Sequence, residues 1–200
     1  MQRGKADFGL LLVGMLWGLG FVFVKIGLNE GITPFYLLTI RFLVAFIILF
    51  VIFRSRLKNI EKSDLKNGFI IATFLFLGFA FQISGAALTT ASNNAFFTAI
   101  NVIIVPYIFW AIHKHVPNIF SFIAAGLCIL GVGILSFDSK MQLNQLNEGD
   151  ILTIISALFF AFHIAFTGFL STKSEPIKLN VIQMGFASVY SLIALVIFSN

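Results

Sequence analysis

Residues 67–113 read NGFIIATFLFLGFAFQISGAALTTASNNAFFTAINVIIVPYIFWAIH, and no Asp, Glu, Lys or Arg interrupts them from Asn67 to His113. At 1.5 Å per residue a single helix of that length would reach ~70 Å, more than twice the ~30 Å hydrocarbon core of a bilayer. The run must therefore turn once, and the polar cluster Thr89-Thr90-Ala91-Ser92-Asn93-Asn94 is where it can. Two spans follow, at about 67–88 and 94–112.

Similar windows recur on both sides, at about 7–28, 35–53, 118–137, 151–170 and 178–198, which brings the expected spans to seven. Composition agrees. Of the 200 residues, 59% are hydrophobic, 26 are phenylalanine and 10% are charged, against about 25% charged in a soluble domain. With a mean hydropathy of +1.01, too little polar surface is left to cover a water-soluble globule. The expected fold is all-α, a polytopic membrane helix bundle in contact with the lipid bilayer.

Helix-start chemistry supports these spans. Thr33-Pro34, Pro117 and Glu175-Pro176 put proline where a helix begins and no backbone N–H is needed. Pro106 instead lies mid-span, where it frees the carbonyl of Val102 and is expected to kink the fourth helix. The basic residues set the orientation. With the N-terminus cytoplasmic, the inner segments carry Arg3, Lys5, Arg54, Arg56, Lys58, Lys62, Lys66, Lys114, Lys173 and Lys178, and the outer ones only Lys140. An integral protein of a bacterial cytoplasmic membrane with its N-terminus inside is expected. A cleaved signal peptide fits the first span poorly, because the apolar run is long and no small-residue cleavage site follows. The net charge of +5 sits in these short loops, so it reads as a topology signal and not as a nucleic-acid surface. Cys128 is the only cysteine, which excludes an intrachain disulfide framework and a Cys-based metal site.

The chain repeats itself. A shift of 143 residues places Asp7 on Asp150, Gly14 on Ala157, Trp17 on Phe160 and Gly18 on Ala161. A shift of 142 places Pro34 on Pro176 and Arg41 on Gln183. Apolar matches are cheap between membrane helices, so Asp7/Asp150 and Pro34/Pro176, in the same order around loops, carry most of the weight. Five spans separate the copies. Because five is odd, the second copy enters the membrane from the opposite side, the inverted-repeat arrangement of many secondary transporters. The first copy covers 1–140 and the second begins at 148–200 with two spans, so the second is expected to be short by three helices.

Several segments resemble the EamA-type permeases of the drug/metabolite transporter superfamily, which have ten spans. They are Gly14-Met-Leu-Trp17-Gly18 with Phe21-Val-Phe-Val-Lys25, Thr33-Pro34 through Arg41-Phe42, Ala87 through Ala95 with Pro106, and Leu130-Gly131-Val132-Gly133. Where members often carry a Gly-Glu pair between the fourth and fifth spans, this chain has Lys114-His115. The resemblance implies gradient-linked export or exchange of small metabolites, such as amino acids or related solutes, by alternating access. A seven-span receptor or sensor would place its N-terminus outside and leave the repeat unexplained. A non-transporting membrane subunit and self-association of the chain stay open.

Candidate pathway residues are those whose polarity is expensive at membrane depth. Arg41 lies about 10 Å below the outer surface; it either attracts anionic or carboxylate solutes or snorkels outward or pairs with Glu30. Lys25, nearer the end of its span, either snorkels or lines the pathway. Trp17 is a core aromatic or a pocket wall. Asn94, with Asn93, opens the fourth helix either as an N-cap or as an anion site. Asn101 and Gln82 are interhelical hydrogen-bond formers or pathway residues. His163 is of the side-chain type that can change protonation near neutral pH, and is either the candidate for proton coupling or a neutral histidine bonded to a neighbouring carbonyl. Gly14 and Gly18 have the spacing of close helix packing. His113 and His115, two apart on a helix, do not face one another, so no metal is expected. No nucleotide or catalytic motif is present, and neither a cofactor nor an enzyme activity is expected.

Overall fold

The computed structural model describes residues 2–114, 118–136 and 146–198. Those residues form eight α-helices and one 3-10 turn, without a strand: α1 (Gln2–Asn29), α2 (Pro34–Phe53), the turn Arg54–Arg56, α3 (Lys62–Leu88), α4 (Ala91–Ala99), α5 (Asn101–His113), α6 (Ile119–Ser136), α7 (Glu148–Leu170) and α8 (Pro176–Phe198). Six stretches among them are long and apolar enough to cross a membrane, with α4 and α5 together making one. α6 occupies the fifth expected span. His115, Pro117 and Lys140, which entered the sequence reading, lie outside the described residues.

Each boundary has a local cause. Gly31, at φ +85°, ends α1 in a Schellman motif: its N–H donates to Leu28 O, and that of Ile32 to Gly27 O. Proline occupies the first position of α2 and of α8. α3 and α7 open with reciprocal capping boxes, Glu61 with Asp64 and Asn147 with Asp150.

Two expectations for the fourth span change. Its N-cap is Thr90, whose Oγ1 accepts from the Asn93 N–H at 3.1 Å. α4 thus starts at Ala91, and Asn94 lies one turn inside with its backbone N–H donating to Thr90 O. That N–H is committed to the helix, so Asn94 is neither the cap nor an anion-binding helix end. The interruption of the span falls at Ile100, where the N–H turns back to Phe97 O, and Pro106 lies inside α5. The Thr98 hydroxyl donates to Asn94 O at 2.7 Å, competing for a helical acceptor just before the interruption.

α3 is the centre of the bundle. It packs most extensively on α7, and then on α8 and α2. Close approach of α3 and α7 requires glycine. A Cβ on Gly85 would stand 2.5 Å from Thr153 Oγ1 and 2.7 Å from Gly149 O, and one on Gly78 would stand 2.8 Å from the Phe160 ring. Along the same contact aromatic rings interlock: Phe74 stacks with Phe162 and Phe166 at 5.3 Å, Phe81 with Phe159 at 5.5 Å, and Phe79 meets Phe160 edge-on at 5.0 Å. Such pairs contribute ~0.5–1.5 kcal/mol each beyond area burial. α1 stands apart. No residue in its most apolar window is buried, and nothing lies within 4 Å of a Cβ placed on Gly14, Gly18 or Gly20. The close packing expected at Gly14 and Gly18 is not made among the described residues.

Candidate solute crevice

Four of the residues singled out by their polarity or size converge. Trp17 and Gly20 of α1, Arg41 of α2, Gln82 of α3 and Asn94 of α4 line one crevice, with Phe21, Val24 and Ile83 as its apolar wall. The cavity volume is about 10 Å³, space for roughly one water, so the crevice is nearly closed as it stands.

The side-chain donors of its polar back wall are hydrogen-bonded, as burial demands. Gln82, Asn94, Thr98 and Thr153 are each 5% exposed or less. Asn94 Nδ2 donates to Gln82 O at 3.0 Å and to Thr153 Oγ1 at 2.8 Å. Gln82 Nε2 donates to Thr98 Oγ1 at 3.1 Å. Three helices thus share one network, and both Nδ2 hydrogens of Asn94 are engaged in it. Behind it, Asp150 is 3% exposed. Its Oδ1 accepts from Thr89 Oγ1 at 2.6 Å and from Asn93 Nδ2 at 3.4 Å, and its Oδ2 accepts from the Asn147 N–H at 3.1 Å. That carboxylate fastens the α3–α4 turn to the start of α7.

Arg41 is the charge at the front. Its guanidinium lies over the Phe79 ring, 4.7 Å from the centroid, a cation–π contact worth ~0.5–2 kcal/mol. The alternative pairing with Glu30 is not made; among the described residues the ion pair is Arg56 with Glu175, at 3.6 Å. Phe79 itself is wedged edge-on between Phe42 and Phe160, so the surface that holds the guanidinium is part of the core. An aromatic face, and not a carboxylate, lies beneath the cation.

The other candidates lie elsewhere. Lys25 Nζ donates to Ala86 O at 2.8 Å, satisfying a carbonyl in the last turn of α3 and tying α1 to it. Asn101 is buried at the start of α5, about two turns beyond Asn94 and outside the crevice lining. His163 Nε2 meets Gln183 Oε1 at 3.0 Å, and Gln183 Nε2 donates to Asn180 Oδ1 at 2.6 Å. This pair joins α7 to α8, towards the end of α7 remote from Asp150. No group of three His, Cys, Asp or Glu that could hold a metal ion occurs among the described residues.

A larger cavity, about 640 Å³, lies between α3 and α8. Its walls are aromatic and aliphatic apart from the hydroxyls of Thr73, Ser84 and Tyr190, and Thr73 and Tyr190 are 3.3 Å apart and hydrogen-bonded to each other. Orientation of a polar solute needs several convergent polar groups, which the smaller crevice supplies and this groove does not. Phe79, Thr98 and Thr153 were not singled out in the sequence, and Gln183 entered only as the repeat counterpart of Arg41. Both threonine hydroxyls donate to the carbonyl four residues earlier, Asn94 O and Gly149 O, which nothing in the sequence marks.

The model of the EamA-like transporter family matches residues 4–137. One uncharacterized transporter of Archaeoglobus fulgidus is 36% identical over 179 residues, covering 90% of this chain and 54% of that protein. A second from the same organism is 28% identical over 171 residues, covering 81% and 57%. The chain therefore spans about half the length of the curated relatives it matches. No solved structure matches it.

Proposed function

Because this chain belongs to the EamA-like transporter family, we propose that it is the first unit, with part of the second, of a secondary transporter for small metabolites such as amino acids or related solutes. Residues 1–140 form the first five-helix unit and 148–200 open an inverted second one, with proline starting the second helix of each copy, at Pro34 and Pro176. The observation that carries the reading is the convergence of Arg41, Trp17, Gln82 and Asn94 on one crevice. A cation laid on an aromatic ring draws a carboxylate in, and the amide–hydroxyl wall behind it gives that solute a fixed polar surface. Such a crevice, closed around about one water's volume, opens by movement of α1, the least buried helix, as alternating access requires. His163, bonded to a neutral amide, is the group through which a proton gradient is coupled. The N-terminus is cytoplasmic, on the side of the basic segments.

The test is counterflow in proteoliposomes, using the polypeptide isolated from its native membranes and a panel of radiolabelled amino and carboxylic acids. Arg41→Gln is expected to abolish exchange of the carboxylate solutes while the protein inserts and purifies normally. Unchanged exchange in that variant removes Arg41 and the crevice from the pathway.

A further inference from the structure

The groove between α3 and α8 differs from the crevice in its walls and in its length. Along α3 its lining runs through Phe69, Thr73, Phe76, Ala80 and Ser84, about 22 Å of helix at 1.5 Å per residue. That exceeds the ~15 Å depth of one leaflet of the hydrocarbon core. Its facing hydroxyls ask nothing of an occupant, since Thr73 donates to Phe69 O at 2.9 Å and lies 3.3 Å from the Tyr190 hydroxyl. On its rim Phe69, Ile193 and Ile197 are 49%, 52% and 61% exposed. The groove therefore opens along its side, at a depth where the surroundings are hydrocarbon.

The stripe of α3 that lines the groove continues beyond it. Lys62 and Lys66 precede Phe69 at the same three- and four-residue spacing, which keeps them on one face of the helix. Both are exposed, and neither makes an ion pair among the described residues. Glu61, beside Lys62, is taken up by the capping box and the Ser63 hydroxyl. Three other cations at this end are committed: Arg56 pairs with Glu175, Lys173 lies over the Phe169 ring at 4.1 Å, and Lys178 donates to Asn59 O at 3.4 Å. Two unpaired lysines thus stand at the interfacial mouth of an apolar groove.

We propose that this groove seats one acyl chain of an anionic glycerophospholipid, whose phosphate is held by Lys62 and Lys66. The lysines do the selecting. An apolar groove alone retains no particular chain in a bilayer, because hydrocarbon surrounds it anyway, whereas basic side chains at the interface attract anionic headgroups. The site goes beyond the solute reading and is independent of it, since neither the lysines nor the groove walls line the crevice.

Photoactivatable lipids test it. The protein isolated from its native membranes is placed in phosphatidylcholine vesicles doped with phosphatidylglycerol that carries a diazirine midway along one chain, or with phosphatidylcholine carrying the same chain. Adducts formed on irradiation are mapped by mass spectrometry. The phosphatidylglycerol probe is expected to mark Phe76, Leu77 or Ile193 about fivefold or more above the phosphatidylcholine probe at equal density. Lys62→Gln with Lys66→Gln is expected to lower that labelling to the phosphatidylcholine level, and Lys62→Arg with Lys66→Arg to keep it. Ile193→Trp leaves both lysines in place and fills the groove from its exposed rim, so it too is expected to reduce labelling severalfold. Equal labelling by the two probes, labelling that the glutamine pair or Ile193→Trp leaves unchanged, or an absence of adducts in the groove overturns the proposal. Carboxylate counterflow does not enter this readout, so failure of the lipid site and failure of the solute reading are told apart.

Discussion

At Arg41 the guanidinium depends on Phe79 for its position, and Phe79 depends on Phe42 and Phe160. Phe79→Leu keeps an apolar side chain in the core and removes the ring face. The expected outcome is a rise of about threefold or more in the apparent KM for a carboxylate solute, matching loss of a cation–π contact of ~0.5–2 kcal/mol, with a smaller change in maximal rate. An unchanged KM would show that the ring does not position the cation. Asp150 acts on the fold instead of the solute. Asp150→Ala removes half of the α7 capping box and the acceptor of the Thr89 hydroxyl, so a loss of about 1–3 kcal/mol is expected, read as a lower thermal midpoint in detergent. Arg41, Trp17, Gln82 and Asn94 were each legible in the sequence as polar or bulky groups at membrane depth. Their convergence was not. Spans that are apolar on every side have no amphipathic stripe to say which faces meet, and a cation–π partner leaves no mark in a chain with 26 phenylalanines.

Among the elements, α3 and α1 make a contrast that mutation can read. Gly85→Val would drive methyl groups into Thr153 and the Gly149 carbonyl, and overpacking of this kind costs about 1–3 kcal/mol or more. Gly14→Ala and Gly18→Ala meet nothing within 4 Å. In a polypeptide limited to residues 1–200 they are expected to leave the midpoint unchanged or raise it slightly, through helix propensity. Thermal unfolding of the three variants side by side checks this, and equal losses in all three would contradict the packing described. Helix positions were legible because charge-free length and proline placement fix them: the expected end of the third span at residue 88 is the observed end of α3. The start and the break of the fourth span were less so. Thr89, Thr90, Asn93 and Asn94 can all cap, and Thr90 wins because it leaves Asn94 one turn inside, where its amide bridges α3 and α7. Pro106 drew attention as the breaker, whereas the interruption at Ile100 follows the Thr98 hydroxyl, which nothing in the sequence marks.

For the whole molecule, the basic segments and the antiparallel order of the helices carry the topology. With Cys128→Ala as background, Ser63→Cys is expected to react with an impermeant maleimide only from the cytoplasm, and Glu148→Cys only from outside. Labelling of both from one side would contradict the helix count between them. The all-α bundle was legible from composition alone. The buried network that makes one end of the bundle cohesive was not, because Asp150 served in the sequence as a repeat marker and its acceptor role towards Thr89 and Asn93 depends on tertiary packing. The crevice between α1 and α4 is the proposed solute site, and solute protection tests that most directly. Trp17→Cys in the Cys128→Ala background would be labelled in proteoliposomes with and without a saturating solute that the parent protein exchanges. Labelling slowed several-fold by that solute, and not by a non-transported analogue, is the result expected. Labelling at the same rate with and without the solute would contradict the account.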